Sequence, residues 1–341
     1  MSALDSSIAE AAAITFSKVV FTRIWTFSMI GLGVIGHILN VYVFTRRSLW
    51  SNECTWYFFA ATISGIVVII ANAPLRLLQI GFSIDPFGYS IVTCKFFSYL
   101  LFGVRPLSSW FIAFASIDRF LCSSRSPTLR SWSSVRVATW TILLITIIIL
   151  LIFMYIPITY EILPGRIRCP ASQSRTAGFN GIWTLIVFSL GPPIVMLCFG
   201  SLTIRHIRQQ LKKVNITNNE NIVQTQLPQI RRQKRTDRQL IQMMLVQCLY
   251  FSITSILVSI NWFYFTVRSP VVIDVVQGAK DDAFTQISGL ISLAGACTSF
   301  YLFTLSGKVF RDELKHLFKC QWRVSDETTN TNVQSLRRLR Y

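Results

Sequence analysis

Charge is scarce in this sequence, and acidic charge is scarcer still. Charged residues make up 14% of 341 positions, 33 Lys and Arg against 15 Asp and Glu, whereas a soluble globular domain carries roughly 25%. The long apolar runs hold one carboxylate, Asp118, at the end of a run. Only three histidines occur, His37, His206 and His316, set far apart. Metal-dependent hydrolysis needs clustered His or carboxylate ligands, and acid–base catalysis needs positioned titratable groups. Neither pattern is present, so no enzyme activity, metal or cofactor is expected. The eight cysteines are dispersed and form no Cys-x-x-Cys pair, which argues against a zinc site or a disulfide framework. No repeat of 20 to 50 residues is visible, which disfavours carriers built from duplicated halves. No run shows the polar stripe of a pore, although a seven-helix channel or transporter remains the alternative reading. The net charge of +18 would suit nucleic acid. Here the basic residues border apolar runs that a soluble domain could not hide, so a membrane accounts for them and no nucleic-acid partner is expected.

Apolar residues make up 52% of the chain, and they gather into seven runs of the roughly 20 residues that cross a hydrocarbon core. These lie at 24–45, 55–80, 92–117, 137–160, 179–204, 240–267 and 283–305. The reading is an all-α membrane protein, a bundle of seven transmembrane helices at the plasma membrane, with residues 1–23 as an extracellular N-terminus and 306–341 as a juxtamembrane helix and cytoplasmic tail. Orientation follows from Lys and Arg in the loops. Segments 45–54, 118–136, 205–238 and 306–341 hold 23 of them, and the alternate segments hold 7. Short basic loops stay cytoplasmic, so the N-terminus is expected outside and the C-terminus inside. The start of the chain includes Asp5 and Glu10 and lacks the basic opening of a cleavable signal peptide. The first run is therefore expected to act as its own signal-anchor. The sequon Asn215-Ile216-Thr217 falls in a cytosolic loop, where it would be silent.

After the seventh run, Phe310, Leu314, Leu317 and Phe318 alternate with Lys308, Arg311, Lys315 and Lys319, the pattern of a helix lying along a membrane surface. Cys320 beyond it is either a palmitoylation site or an unmodified cysteine. The basic run Arg231-Arg232-Gln233-Lys234-Arg235 is either an ordinary solvated loop or a docking surface for a cytosolic partner.

The third run carries the most specific pattern. Cys94 opens it and Asp118-Arg119-Phe120 closes it; the 25 residues from Cys94 to Arg119 span roughly 37 Å as a helix. Cys169 is the only cysteine between the fourth and fifth runs. This arrangement resembles the rhodopsin-like (class A) G-protein-coupled receptors over about residues 24–320. That family pairs a cysteine at the top of helix three with one in the second outer loop and carries Asp-Arg-Tyr at the helix base. Gly36-x-x-x-Asn40, Trp140, Pro192-Pro193 and Ser299-Phe300-Tyr301-Leu302-Phe303 fall where the family has its helix-one asparagine motif, helix-four tryptophan, helix-five proline and Asn-Pro-x-x-Tyr. Residues 116–123 and 299–303 are similar in style to divergent invertebrate orphan receptors.

The resemblance implies a Cys94–Cys169 disulfide and a receptor for an extracellular ligand that activates a heterotrimeric G protein. It assigns coupling and activation to Asp118, Arg119, Phe120, Ser299 and Phe303. Arg119 either pairs with Asp118 at rest and turns to the G protein on activation, or simply snorkels to the interface. Ser and Thr between 325 and 335 are either arrestin-recruiting phosphorylation sites or ordinary tail residues. The chain also departs from the family. Gly65 replaces the helix-two aspartate and Ser299 the helix-seven asparagine, leaving Ser108 alone of the sodium site. Ile253–Leu257 replaces Cys-Trp-x-Pro, and Phe120 and Phe303 replace two tyrosines. Leu101 stands where amine receptors carry an aspartate, and the seventh run has no lysine for a retinal Schiff base.

Arg105 lies fourteen residues before Arg119 on the same face, with Leu101 and Ser108. An ionisable residue at membrane depth marks a function by default. Two readings stay open. Arg105, with Arg76 and Leu101, receives the anionic group of a peptide or acidic small molecule, an acidic lipid included; or Arg105 bonds to carbonyls, Ser108 and water and fixes the resting packing.

Overall fold

The computed structural model describes residues 2–46, 50, 52–124, 126–160, 175–216, 227–267, 274–306, 311 and 315. Its regular elements are helices: α1 (Ser2–Phe44), α2 (Glu53–Gly81), α3 (Ile91–Cys122), α4 (Val135–Thr159), α5 (Arg175–Thr184, Leu185–Leu190 and Gly191–Ile216 in succession), α6 (Leu227–Val267) and α7 (Val275–Cys297, resuming as Ser299–Ser306). Each of α1 to α6 contains a stretch long and apolar enough to cross a membrane. The first half of α7 carries Lys280, Asp281 and Asp282, and its apolar content lies beyond them; it packs along α1 and α6.

Helix α1 begins at Ser2, well before the apolar run. Ala9, Ala11, Ala12 and Ala13 favour helix intrinsically, and Asp5 in the first turn complements the dipole. Such a segment is helical without being apolar enough to stand out as a span. It is tied to α7 by Lys18–Asp282 at 2.5 Å and Glu10–Lys280 at 3.0 Å. Arg23 Nε donates to the Gly81 carbonyl at 2.8 Å, and its guanidinium lies over Phe82.

Proline shapes the middle of two helices. In α2, Pro74 lacks an N–H, and the preceding turn Val68–Asn72 widens to π geometry. In α5 the wide turn Leu185–Leu190 precedes Pro192-Pro193. The Val187 carbonyl, which Pro192 cannot serve, accepts from Trp110 Nε1 of α3 at 2.9 Å. Helix α7 breaks at Thr298 although position 300 is Phe rather than Pro. At the break the Ala294 carbonyl accepts from both the Thr298 N–H at 3.0 Å and the Thr298 hydroxyl at 2.7 Å.

Small residues set the closest approaches. A Cβ at Gly36 would stand 3.1 Å from Phe300 Cβ, so the glycine lets α1 and α7 meet. One turn on, buried Asn40 Nδ2 donates to Ser299 Oγ at 3.3 Å. At Gly65 a Cβ would stand 2.5 Å from His37 Cε1, and His37 is itself buried. The imidazole from α1 thus fills the volume that a side chain at position 65 would need. Gly65→Ala is expected to lower stability by about 1–3 kcal/mol, the cost of overpacking. The same change in a His37→Ala background should cost clearly less. Thermal unfolding of the four detergent-purified proteins checks this; equal losses in both backgrounds would show that the imidazole is not the obstacle.

Candidate functional site

Helix α3 carries both candidate sites, one at its Asp118 end and one at mid-depth. Its start is fixed by a capping box: Ser90 Oγ accepts from Thr93 N at 3.1 Å, and Thr93 Oγ1 accepts from Ser90 N at 3.0 Å. Cys94 follows, fully buried and disulfide-bonded. Cys169 and Cys320 lie outside the described residues. Losing a native disulfide costs roughly 2–5 kcal/mol, so Cys94→Ser is expected to cut folded surface expression strongly. Flow cytometry of the tagged protein measures this, and unchanged surface levels would contradict it.

At the other end, Asp118 and Arg119 are both 4% exposed. Arg119 Nη2 donates to Asp118 Oδ2 at 2.8 Å and to Asn52 Oδ1 at 3.1 Å, and it lies 3.6 Å from Glu53 Oε2. The second Asp118 oxygen accepts from Ser133 Oγ at 2.8 Å. Asn52 caps α2, its side chain accepting from Cys54 N, so the residue that starts α2 also fixes Arg119. Thus one buried guanidinium ties α3 to the start of α2, and Asp118 ties it to the segment before α4. Asn52, Glu53 and Ser133 were missed in the sequence; only the Asn-Glu pair at a helix start gave a signal, and that reads first as a cap. Phe120 stacks on His206 and meets Phe199 of α5 edge-on. Phe303 is 1% exposed and packs edge-on against Phe58 and Phe44; an apolar ring suits this site, where a hydroxyl would need a partner. Trp140, by contrast, is 68% exposed on α4.

Midway, Arg105 points at α7. Its Nη2 donates to the Gly289 carbonyl at 2.9 Å and to Ser292 Oγ, and its guanidinium lies 5.8 Å from the Phe188 ring centre of α5, within cation–π range. Ser292 in turn donates to the Gly289 carbonyl. Among the described residues Arg105 makes no ion pair; Arg76 of α2 is near enough for its charge to act on it. Arg76 donates to Gln79 Oε1 at 3.1 Å, and Gln79 donates to Asp85 Oδ1. Among the described residues, both cations have only neutral direct partners. Leu101 is buried, its carbonyl accepting from Asn72 Nδ2 at 3.4 Å, but it lines neither cavity beside Arg105. One of these, about 10 Å³, is bordered by Ser108, Ser109, Gln247 and Ser292, room for about one water. The other, about 20 Å³, is bordered by Phe102, Phe153, Thr184 and Phe188.

Residues 36–302 match the 7 transmembrane receptor (rhodopsin family) profile. The chain belongs to that family. It is a membrane-spanning, class A receptor of the G-protein-coupled type. No curated protein matches this receptor in sequence. The matched region opens at Gly36 and closes within Ser299–Phe303, so it includes both α3 sites of the receptor and leaves the first 34 residues of α1 outside it.

Proposed function

We propose that this receptor binds an extracellular ligand bearing an anionic group, a peptide or an acidic small molecule, and activates a heterotrimeric G protein. All seven helices cross the plasma membrane, with the N-terminus outside, as the Lys and Arg distribution favours. The observation that carries the ligand reading is Arg105, a cation without an ion pair among the described residues and within the field of Arg76. A desolvated guanidinium gains most from a carboxylate or phosphate.

The bonds from Arg105 to α7 and the small cavities beside it support a combined reading. At rest Gly289 and Ser292 hold the guanidinium; an anionic ligand group competes for it and releases α7. Cys94 pairs with Cys169, pinning the second outer loop over the ligand entrance. At the cytosolic end Asp118 restrains Arg119 until the G protein engages it, with Phe120, Ser299 and Phe303 in the surrounding packing. Cys320 is a lipid anchor, and the tail recruits arrestin when phosphorylated. Amine and retinal ligands do not fit, since Leu101 and the lysine-free α7 supply neither counter-ion nor Schiff base.

A tagged receptor expressed with a panel of G-protein sensors and screened against peptide and lipid libraries tests this. Agonists sharing an acidic group are the expected result. Agonists that are cationic amines would overturn the ligand reading, and flat responses in every sensor, basal and stimulated, would overturn coupling.

A further inference from the structure

A roomier cavity of this receptor lies away from Arg105. It is an open groove of about 1030 Å³ along the outside of the α5–α6 seam, against about 10 and 20 Å³ for the sites around the guanidinium. Leu185 and Leu190 of α5 form one wall, and Ile256, Ile260 and Phe263 of α6 the other. Leu190, Ile256, Ile260 and Phe263 are all exposed; in a membrane-spanning receptor, exposure here means contact with lipid. The one polar group in the middle, Ser259, is already bonded to Ser189 across the seam at 2.6 Å, and Ser189 also reaches the Ser255 carbonyl. Polar side chains that line the groove otherwise occur only at the end remote from Asp118–Arg119, where Tyr264 and Gln277 both donate to Asp281 Oδ1. From Ile256 to Val267 the groove follows α6 over twelve residues, roughly 16 Å from first to last. That matches half of a hydrocarbon core of about 30 Å.

We infer that this groove is a binding site for one acyl chain of an outer-leaflet phospholipid, with the ester end at Tyr264 and Gln277 and the methyl end at Leu190 and Ile256. An apolar trough one leaflet deep, with polar groups at its outer mouth alone, is complementary to an amphiphile and to no soluble partner. Seated there, the chain covers the Ser189–Ser259 bridge and stabilises α5 against α6. The choice of leaflet rests on the orientation proposed above; the site itself does not depend on G-protein coupling or on Arg105.

The test uses the full-length receptor in phosphatidylcholine nanodiscs containing a phospholipid with a photoactivatable group, placed either near the ester or near the methyl end of one chain. Cross-linked peptides are mapped by mass spectrometry. The α4 residues Leu144 and Leu151, exposed on an ordinary lipid-facing surface, serve as the reference. Labelling of the groove severalfold above α4 is expected, at the Tyr264 end for the ester probe and the Leu190–Ile256 end for the methyl probe. Ile260→Trp and, separately, Leu190→Trp should abolish the excess while α4 labelling is unchanged, which also reports that each variant is folded. Equal labelling of both surfaces, or no effect of either substitution, would mean annular lipid only; a reversed order of the two probes would overturn the chain direction. None of these readouts involves signalling, so a failed ligand screen and a failed groove are separately visible.

Discussion

Asp118→Ala is expected to lower the stability of the receptor by about 3 kcal/mol and to raise its signalling without ligand. Removing one partner of a buried pair costs about 3–5 kcal/mol because the other charge stays buried. Here the remaining Glu53 contact at 3.6 Å and the Asn52 bond place the cost at the lower end. The same change also frees the Ser133 hydroxyl from its carboxylate, so the segment before α4 loosens together with Arg119. Adding Arg119→Ala to Asp118→Ala should restore part of the stability, since no buried guanidinium that has lost its nearest carboxylate is left, while abolishing the basal signal. Glu53→Gln, affecting the longer and more exposed contact, should do less on both counts. Thermal unfolding and a ligand-free G-protein sensor measure the two effects. A stable, silent Asp118→Ala would show that the pair does not restrain the receptor.

The second large effect concerns Arg105. With an anionic ligand in place, Arg105→Gln leaves the ligand's charge desolvated and unpaired, which costs about 2–5 kcal/mol at a buried charged contact. At about 1.4 kcal/mol per tenfold, agonist potency falls on the order of 10²- to 10³-fold. Arg105→Lys keeps the charge but not the planar fork, so its potency should lie between. Ser292→Ala removes a resting partner only and should keep or improve potency. Concentration–response curves across the four proteins decide the matter. If Arg105→Gln alters basal output and leaves potency unchanged, Arg105 is a resting latch and not a ligand contact.

How far the sequence carries depends on whether the relevant partner is local. Helix α3 was legible over most of its length, because Cys94, a charge-poor run and Asp118-Arg119 are all written within one segment. The partners of its functional side chains were not. Arg119 is held by Asn52 and Glu53, which are distant in sequence and read first as the start of another helix. For Arg105, bonds to carbonyls and Ser108 were one expected reading; that the carbonyl is Gly289 and the serine is Ser292, both of α7, is not written near Arg105, since every residue possesses a carbonyl and none advertises it. That His37 of α1 occupies the space beside Gly65 is not legible either, since each residue is unexceptional alone. The helical segment before residue 24 was hidden because a search for apolar length does not detect an alanine-rich, partly charged helix. The α5–α6 groove is a property of two surfaces failing to meet, which no single run of residues encodes.

The most direct measurement is nucleotide exchange on purified heterotrimeric G proteins by the receptor in nanodiscs, with and without an acidic agonist, compared with Arg119→Ala. Agonist-stimulated exchange by the unmodified receptor on at least one G protein, lost in Arg119→Ala at equal folded protein, is the predicted result. No stimulated exchange on any G protein, or exchange that survives Arg119→Ala undiminished, would contradict it.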